Sequence, residues 1–483
     1  GFQEVEQMNL FKDMVCYQEE VRDPSRMAEV LNRVIEKAIR GSAPAQINVP
    51  RDYWTQVIDI ELPPIIRLER QAGGVDAINE AAKILSEAKF PVILSGAGVV
   101  IGGAINDCVK LAEKLDSPVC SGYQHNDSFP GSHPLAVGPL GYNGSKAAME
   151  LIAKADVVLA LGTRLNPFST LPGYGIDYWP KDAKIIQVDI NSDRIGLTKK
   201  VSVAICGDAK IVSQQLLKKL SPNAGDTDRQ KRKDIIHQTK SAWLQKLSSL
   251  DHEDDDKGTV WNKEARERDK DRMSPRQAWR AIQTGMPEDV IISSDIGNNC
   301  AIGNAYPTFE KGRKYLAPGL FGPCGYGFPS ILGAKIGCPD TPVIGFAGDG
   351  AFGISMNEMS ACARKEWPAV TMVIFRIYQW GEEKRNSILW FDDNFIGTEL
   401  DPELSYAKVA NACGLKGVTV KTMEETTKAI KQSCEDQKKG ITTFIEIILN
   451  QELGEPFRRD AMKKPVKVAG IKKDDMKPQV NLT

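Results

Sequence analysis

Short, nearly continuous apolar runs recur along the chain and predict buried strands. The run at residues 343–347 has no polar side chain, as expected for a strand that is covered on both faces of a parallel sheet. Between such runs, apolar residues recur at helical spacing and predict amphipathic helices. The pattern as a whole predicts an α/β fold built on parallel sheets. The other predicted strands are residues 46–49, 91–95, 156–161, 184–189, 370–375 and 443–449, and a further helix is predicted near 404–412.

Breaks in this pattern predict the domain organisation. Residues 1–55 contain one predicted helix, which begins at Asp23-Pro24, and one strand, which is too little to bury a core. The prolines and glycines of residues 56–75 are typical of a linker. We expect a second α/β domain at 76–222, a charged and solvated helical linker at 223–275, a third domain at 276–450 and a polar tail at 451–483.

Composition excludes several classes of function. The 62 basic and 63 acidic side chains leave a net charge of −1, which gives no electrostatic case for binding nucleic acid or an anionic membrane. No apolar run approaches the roughly 18 residues that a membrane-spanning helix needs. The ten cysteines include no Cys-x-x-Cys pair, so they are interpreted as unpaired thiols of a reducing compartment. We therefore expect a cytoplasmic protein.

Gly348-Asp349-Gly350 directly follows the apolar run at 343–347. Glycines allow a tight turn and a close approach of backbone N–H groups to phosphate, and Asp349 offers a hard oxygen to Mg²⁺. The alternative is an ordinary turn between a strand and a helix. Ser355 and Glu358 have the spacing of a capping box, so we expect the helix to begin there.

Two further glycine-containing loops strengthen the interpretation as a phosphate site. They are residues 293–299 and 322–329, and loops at the carboxyl ends of parallel strands converge on one crevice. By contrast, Gly96-Ala-Gly98 lacks the third glycine of a dinucleotide motif, because residue 101 is Ile. We therefore expect no nucleotide at that turn.

These residues resemble the thiamine-diphosphate (ThDP) enzymes of the acetolactate synthase group, over nearly the whole chain. The Gly-Asp-Gly turn is common to all ThDP enzymes. Gln379-Trp-Gly381 and the run at 455–465, which begins Glu-Pro-Phe-Arg-Arg, are much narrower motifs. They are similar to a branch of acyltransferases that convert sulfoacetaldehyde and phosphate into acetyl phosphate and sulfite. The resemblance implies a ThDP-enzyme architecture of parallel-sheet α/β domains, the first incomplete, with residues 1–55 as the end of the pyrimidine-binding domain.

The resemblance also implies thiamine diphosphate and Mg²⁺ as cofactors, and it assigns roles to individual residues. Asp349, with a backbone carbonyl near Gln379, would bind the metal. Cys324 would prop the bent coenzyme, a position at which cysteine fits the acetyltransferases. The remaining coenzyme-binding residues would be Gly297, Asn298, Asn299, Gly348, Gly350 and Ala351, and the substrate-facing residues Phe2, Gln3, His125, Lys384 and Arg385.

Two departures from the family pattern bear on activity. The family's pyrimidine-activating glutamate has no counterpart here, so the resemblance implies an N-terminally truncated chain without that catalytic residue. The family's second metal ligand is an asparagine shortly before Gln379. Counted back from Gln379, Ile377 stands in its place, and counted forward from Asp349, Arg376 does. We expect a weakened metal site that Asn at position 377 would restore.

Three hypotheses about function remain open from the sequence. The first is the acyltransferase reaction, with sulfoacetaldehyde and phosphate as small-molecule substrates. The second is an acetolactate synthase-like lyase, and the third is a degenerate relative without catalysis, which Ile377 would favour. Because most ThDP sites form between two subunits, the resemblance implies a homodimer or homotetramer.

Overall fold

The computed structural model describes residues 4–64, 66, 68–224, 228–250, 269–312, 314–319, 321–364, 366–390 and 395–451, without the side chains at 250, 299, 300, 385 and 388–390. The chain forms two compact units, Gly1–Glu69 and Arg70–Thr483. None of the described helices has the length and apolar character needed to cross a bilayer.

The first unit is a small βαβ arrangement. Strand β1 (Tyr17–Glu20) pairs in parallel with β2 (Ala45–Asn48), and the helix Met27–Gly41 connects them. The helix follows a single turn at Pro24–Arg26, which the Asp23 side chain begins by accepting the Ser25 N–H. The helix start and the strand that the sequence predicts here are confirmed. A short helix, Gln7–Phe11, precedes β1.

The second unit contains two six-stranded sheets in which every pair of strands is parallel. The first sheet has the order β5-β4-β3-β6-β7-β8. Its strands are β3 (Pro91–Ser95), β4 (Val119–Ser121), β5 (Ala136–Pro139), β6 (Val157–Leu161), β7 (Lys184–Asp189) and β8 (Val203–Cys206). The helices of this part are Val75–Glu87, Ala97–Ile101, Ile105–Leu115, Lys146–Ile152 and Ala209–Lys219.

The second sheet has the order β10-β9-β11-β12-β14-β13. Its strands are β9 (Ile291–Ser294), β10 (Tyr315–Leu316), β11 (Val343–Gly348), β12 (Thr371–Arg376), β13 (Lys416–Val420) and β14 (Thr443–Ile448). All residues of β12 and β14 are buried, which explains why these strands appear in the sequence as mostly apolar runs. The helices of this part are Pro275–Gly285, Asn298–Gly303, Gly327–Gly337, Asp349–Ser355, Met359–Cys362, Gly381–Trp390, Tyr406–Ala412 and Met423–Lys438.

The turn at Gly96-Ala-Gly98 has a packing role. A Cβ atom on Gly98 would lie 2.7 Å from the Cα of Gly162, and one on Gly96 would lie 2.6 Å from the Gly162 carbonyl oxygen. The two glycines therefore let this turn contact the end of β6. Close packing of backbone against backbone accounts for them without a bound nucleotide.

The charged segment after β8 forms a helix, Arg229–Leu250, most of whose residues are exposed as expected of a solvated helix, but one face of it is buried. Arg232 is fully buried and donates hydrogen bonds to the carbonyl oxygens of Lys89, Leu115 and Asp116. Trp243 is buried as well. The buried face of this helix could not be predicted from its charged composition. Its buried arginine is satisfied by backbone carbonyls, and no sequence pattern indicates such partners.

The predicted capping box at Ser355 is wrong. The helix Asp349–Ser355 begins at the Gly-Asp-Gly turn itself, so Ser355 ends this helix and does not precede it. No side-chain capping bond forms at Ser355, and its hydroxyl has no hydrogen-bond partner in the part of the chain that the structure describes. Asp349 takes the first helical position because its carboxylate accepts the N–H of Gly350.

Candidate functional site

Three predicted loops meet at one edge of the second sheet. Strands β9, β11 and β12 are neighbours, with Gly345 opposite Ser293 and Gly348 opposite Phe375. Their carboxyl ends carry Asp295 after β9, Asp349 after β11 and Arg376 as the last residue of β12. This is the edge at which parallel α/β sheets bind ligands.

Asp295 holds two of these loops together. One carboxylate oxygen accepts the N–H groups of Ile296 (2.8 Å) and Gly325 (3.0 Å), and the other accepts that of Gly327 (2.7 Å). Burial raises the pKa of Asp295 although these hydrogen bonds oppose the shift. Asp295 thus fixes the loop at 322–329 against the end of β9, a role that the sequence analysis did not assign to it.

Asn298, predicted to bind the coenzyme, is buried with both amide atoms unpaired among the described residues. It follows Gly297, whose φ of +112° is open to glycine and strained for other residues. A Cβ atom on Gly381 would lie 3.0 Å from the Asn298 amide nitrogen. The Gln-Trp-Gly run therefore reaches this loop. A buried amide without partners needs a ligand or water to satisfy it.

The same run also contacts the Gly-Asp-Gly turn. A Cβ atom on Gly350 would lie 3.1 Å from the ring of Trp380. Gly348 and Ala351 flank this position, so four of the predicted coenzyme-binding positions, Gly348, Gly350, Ala351 and Asn298, are held around the motif that contains Gln379. The structure places Gly350 beside Trp380 and Asn298 beside Gly381, and the coenzyme-binding role of these positions stays a prediction.

Asp349 forms a buried ion pair with Arg376. The Asp349 Oδ2 atom accepts hydrogen bonds from Arg376 Nη1 (3.0 Å), the Ile377 N–H (3.1 Å) and the Tyr378 N–H (2.6 Å). Both side chains are fully buried. Burial raises the pKa of Asp349 to about 6, against the lowering effect of Arg376 and the backbone N–H groups. The carboxylate is therefore ionised at neutral pH.

This carboxylate does not fit Mg²⁺. The metal requires oxygen ligands in near-octahedral geometry, whereas one Asp349 oxygen already has three donors and the other has the Gly350 N–H. The two backbone carbonyls before Gln379 each already accept a hydrogen bond. The Ile377 carbonyl accepts from Gln451, and the Tyr378 carbonyl accepts from Leu400. The Asp349 carboxylate therefore does not accommodate the metal, and metal binding through Gln379 stays a prediction.

His125 lies in a loop that reaches the coenzyme-binding part from the first sheet. The preceding Gln124 N–H donates to the Asn304 side chain (2.9 Å), and the following Asn126 donates to the carbonyls of Asn304 and Pro307. Burial, with a smaller contribution from Arg164, lowers the pKa of His125 to about 4. The imidazole is therefore neutral at physiological pH.

Gln379 and Lys384 are both buried. The Gln379 amide nitrogen donates to the Gln451 carbonyl, while its amide oxygen has no partner among the described residues. Lys384 forms an ion pair with Glu399. The predicted role of Lys384 as an anion-binding cation therefore requires that this pair be displaced, because its charge is already compensated.

Cys324 is exposed in the loop at 322–329. Partial burial of the thiol, together with Asp295 and Glu383, raises its pKa, so this cysteine is protonated at neutral pH. That state fits the predicted role of an inert prop. Phe2, Gln3 and the run at 455–465 lie outside the described residues, as do the side chains of Asn299 and Arg385.

Sequence reasoning missed the partner of Asp349. It treated Arg376 only as one of two places for a lost asparagine, and it gave Glu446 no role. Glu446 is buried in β14 with an oxygen 3.8 Å from Arg376 Nε. Two features of the sequence could have indicated this pairing. Arg376 ends a mostly apolar strand and Glu446 lies inside another, and charges buried in this way require partners.

Two parts of the chain match families of known domains. Residues 78–216 match the thiamine pyrophosphate enzyme central domain, and residues 295–447 match the thiamine pyrophosphate enzyme C-terminal TPP binding domain. The two matches cover the first and second sheets of the larger unit.

Individual proteins show the same relationship in more detail. A probable sulfoacetaldehyde acetyltransferase of Rhizobium meliloti is 76% identical over 479 residues, which are 99% of this chain and 81% of the relative. A probable acetolactate synthase large subunit of Methanocaldococcus jannaschii is 30% identical over 90% of this chain and 72% of the relative. The solved structure of benzoylformate decarboxylase from Polynucleobacter necessarius has the same fold, with a TM-score of 0.72, 20% identity, and coverage of 93% of this chain and 78% of that one.

Proposed function

Since the chain belongs to the thiamine pyrophosphate enzyme family, we propose that it converts sulfoacetaldehyde and phosphate into acetyl phosphate and sulfite. One observation carries this choice of reaction. Identity is 76% to a protein named as a probable sulfoacetaldehyde acetyltransferase and 30% to one named as a probable acetolactate synthase large subunit.

The coenzyme, thiamine diphosphate, supplies a ring carbon that acts as a carbanion and an electron sink. In this proposal the unpaired amide of Asn298 holds it from the end of β9, with Gly297 and Asn299 beside it. Gly348, Gly350 and Ala351 leave room for its phosphates, and the protonated thiol of Cys324 packs against it without reacting. Magnesium is not part of the proposal, because the Asp349 carboxylate is paired with Arg376.

Both substrates are anions and need donors that compensate their charge. We assign this role to Lys384 and Arg385, and we place neutral His125 near the aldehyde as a hydrogen-bonding group. Lys384 would exchange its contact with Glu399 for a substrate oxygen. Phe2 and Gln3 complete the substrate-facing set. We further propose a homodimer or homotetramer located in the cytoplasm.

A chimera tests the proposed reaction. The 479 matched residues of the Rhizobium meliloti relative are replaced by the corresponding residues of this chain, so that the assay uses a protein of the relative's full length. The chimera receives sulfoacetaldehyde and phosphate, and sulfite and acetyl phosphate are measured. We expect both products in equal amounts, and release of neither when phosphate or thiamine diphosphate is left out.

Two results would contradict the proposal. Formation of acetolactate from pyruvate, without sulfite release from sulfoacetaldehyde, would favour the lyase. A folded chimera that binds thiamine diphosphate but makes neither product would favour a relative without catalysis. The unmodified relative, assayed in parallel, shows that the conditions support the reaction.

A further inference from the structure

Three buried charges lie together at the carboxyl ends of β11 and β12 and in β14. They are Asp349, Arg376 and Glu446, each at most 2% exposed. Arg376 lies between the two carboxylates, 3.0 Å from an Asp349 oxygen and 3.8 Å from a Glu446 oxygen. A cation at this place is attracted to both carboxylates and offsets part of their charge, because charges buried away from water require partners.

Arg376 is held through its terminal nitrogens and by two aromatic rings, while its Nε atom has no hydrogen-bond partner among the described residues. Its Nη2 atom donates to the carbonyl oxygens of Asp401 and Leu404, and its guanidinium lies 4.2 Å from the centre of the Tyr378 ring. The Tyr406 ring lies 5.5 Å away on another side, and the Tyr406 hydroxyl donates to the Asp349 carbonyl. These contacts fix the guanidinium against the carboxylate that the sequence predicts as a metal ligand.

The backbone after Arg376 also directs its N–H groups towards Asp349. Tyr378 has a φ of +60°, which is strained for a residue with a side chain, and this conformation accompanies the donation of two successive N–H groups to Asp349. Three donors therefore surround the Asp349 Oδ2 atom, and the Gly350 N–H occupies one side of Oδ1. Ile377 contributes only its N–H, because its side chain packs in the apolar core of the sheet.

We propose that Arg376 takes the place of a divalent cation at Asp349, so that this chain binds no Mg²⁺ there and its coenzyme affinity does not depend on Mg²⁺. The second part rests on the proposed function, whereas the first concerns the carboxylate alone. The position at which asparagine would restore a metal site is therefore 376, and not 377 as the sequence predicts. Asparagine at 377 would point into the core, while asparagine at 376 would free the carboxylate.

The test measures the binding of Mn²⁺, a paramagnetic stand-in for Mg²⁺, by electron paramagnetic resonance of the whole chain. Titrations are done with and without thiamine diphosphate, on the wild type and on Asp349→Asn. We expect the two isotherms to coincide, because no Mn²⁺ is bound through Asp349. A wild-type site that Asp349→Asn removes would overturn the proposal.

Variants at Arg376 test whether the guanidinium is the cause. Arg376→Asn should gain a Mn²⁺ site about tenfold or more tighter than any in the wild type, and its melting temperature should rise with added MgCl₂. Arg376→Lys retains a cation and should gain neither. Arg272→Asn is the matched control. The Arg272 guanidinium also lies over the Tyr378 ring, 4.8 Å from its centre, but does not contact Asp349. A folded Arg376→Asn that gains no Mn²⁺ site would overturn the proposal.

Calorimetric titration of thiamine diphosphate separates this proposal from the proposed function. Wild-type affinity should be the same in MgCl₂ and in a chelator, and affinity that requires MgCl₂ would overturn the proposal. Absence of thiamine diphosphate binding by the folded wild type and by Arg376→Asn in both conditions would instead count against the proposed function. The Mn²⁺ isotherms decide the role of Arg376 in that case.

Discussion

At the scale of the residue, two buried asparagines show how partners define a role. Asn304 accepts the Gln124 N–H and thereby ties the His125 loop to the coenzyme-binding part. Asn298 is buried to a similar extent but finds no partner among the described residues. Only the side-chain oxygen of Asn304 is satisfied, since its amide nitrogen has no partner among the described residues either. A buried amide that pairs with a backbone N–H supports the fold, and one with neither atom paired reduces stability unless a ligand pairs with it.

The two asparagines should respond differently to truncation. Asn298→Ala is expected to leave the free energy of unfolding unchanged or raise it, and to weaken thiamine diphosphate binding about tenfold. Asn304→Ala is the matched control, and it should lower the free energy of unfolding by about 1–3 kcal/mol because it strands the Gln124 N–H. Urea unfolding and calorimetric titration measure the two effects. A loss of stability in Asn298→Ala without loss of affinity would contradict the assignment.

His125 should make stability depend on pH. Its pKa is lowered to about 4 in the folded chain, from an ordinary value near 6.5, so between these values the unfolded chain binds the extra proton. Stability should therefore fall as the pH drops from 6.5 to 4, by about 3 kcal/mol at most from this group. His125→Asn should flatten this part of the profile, measured by urea unfolding at successive pH values. The exposed His237→Asn is the control, and an unchanged slope in His125→Asn would refute the assignment.

At the scale of the element, the helix Arg229–Leu250 is anchored by a single internal arginine. Arg232 reaches the carbonyls of Leu115 and Asp116 at the end of the helix Ile105–Leu115, and that of Lys89 before β3. The last carbonyls of a helix have no partner within it, and a guanidinium with several donors can satisfy more than one of them. The charged helix is thus fixed to the first sheet's layer of helices.

Arg232→Ala should destabilise the chain strongly. Three buried carbonyls lose their donor, so we expect the free energy of unfolding to fall by about 3 kcal/mol. Arg229→Ala is the control, because Arg229 is 41% exposed and its partner Asp116 keeps Lys233, and it should lower the free energy of unfolding by less than about 1 kcal/mol. Equal effects of the two changes, measured by urea unfolding, would show that Arg232 has no special role.

At the scale of the whole molecule, the two units differ in how much core they contain. The larger unit buries continuous apolar clusters on both of its sheets. Among the described residues of the unit Gly1–Glu69, the buried apolar side chains are Val21, Ala28, Val30 and Val34, while Leu31, Ile35 and Ile39 stay exposed along the helix Met27–Gly41. A unit with so small a core gains little from folding on its own.

Separating the units should reveal this difference. Expressed alone, Arg70–Thr483 should fold and unfold cooperatively, because both sheets bring their own cores. Expressed alone, Gly1–Glu69 should give no cooperative transition. Circular dichroism during heating measures both, with the whole chain as reference. A sharp transition in the isolated small unit would show that its core is sufficient.

The sequence by itself determined the elements and the class of the site. Apolar runs predicted β3, β7, β11, β12 and β14 to within a residue or two, because strands buried on both faces are mostly apolar. The loops at the carboxyl ends of β9 and β11 followed from glycines and polar residues at those ends. The family is fixed by motifs of the same local kind.

Only the tertiary structure decided which charges meet. Arg376, Asp349 and Glu446 lie on different strands and loops, so their pairing depends on the strand order β11-β12-β14 and leaves no local pattern. The same holds for Arg232 and the carbonyls it satisfies, and for the unpaired amide of Asn298. Sequence periodicity records which residues are buried, whereas the partner of a buried polar group is set by neighbours that are distant along the chain.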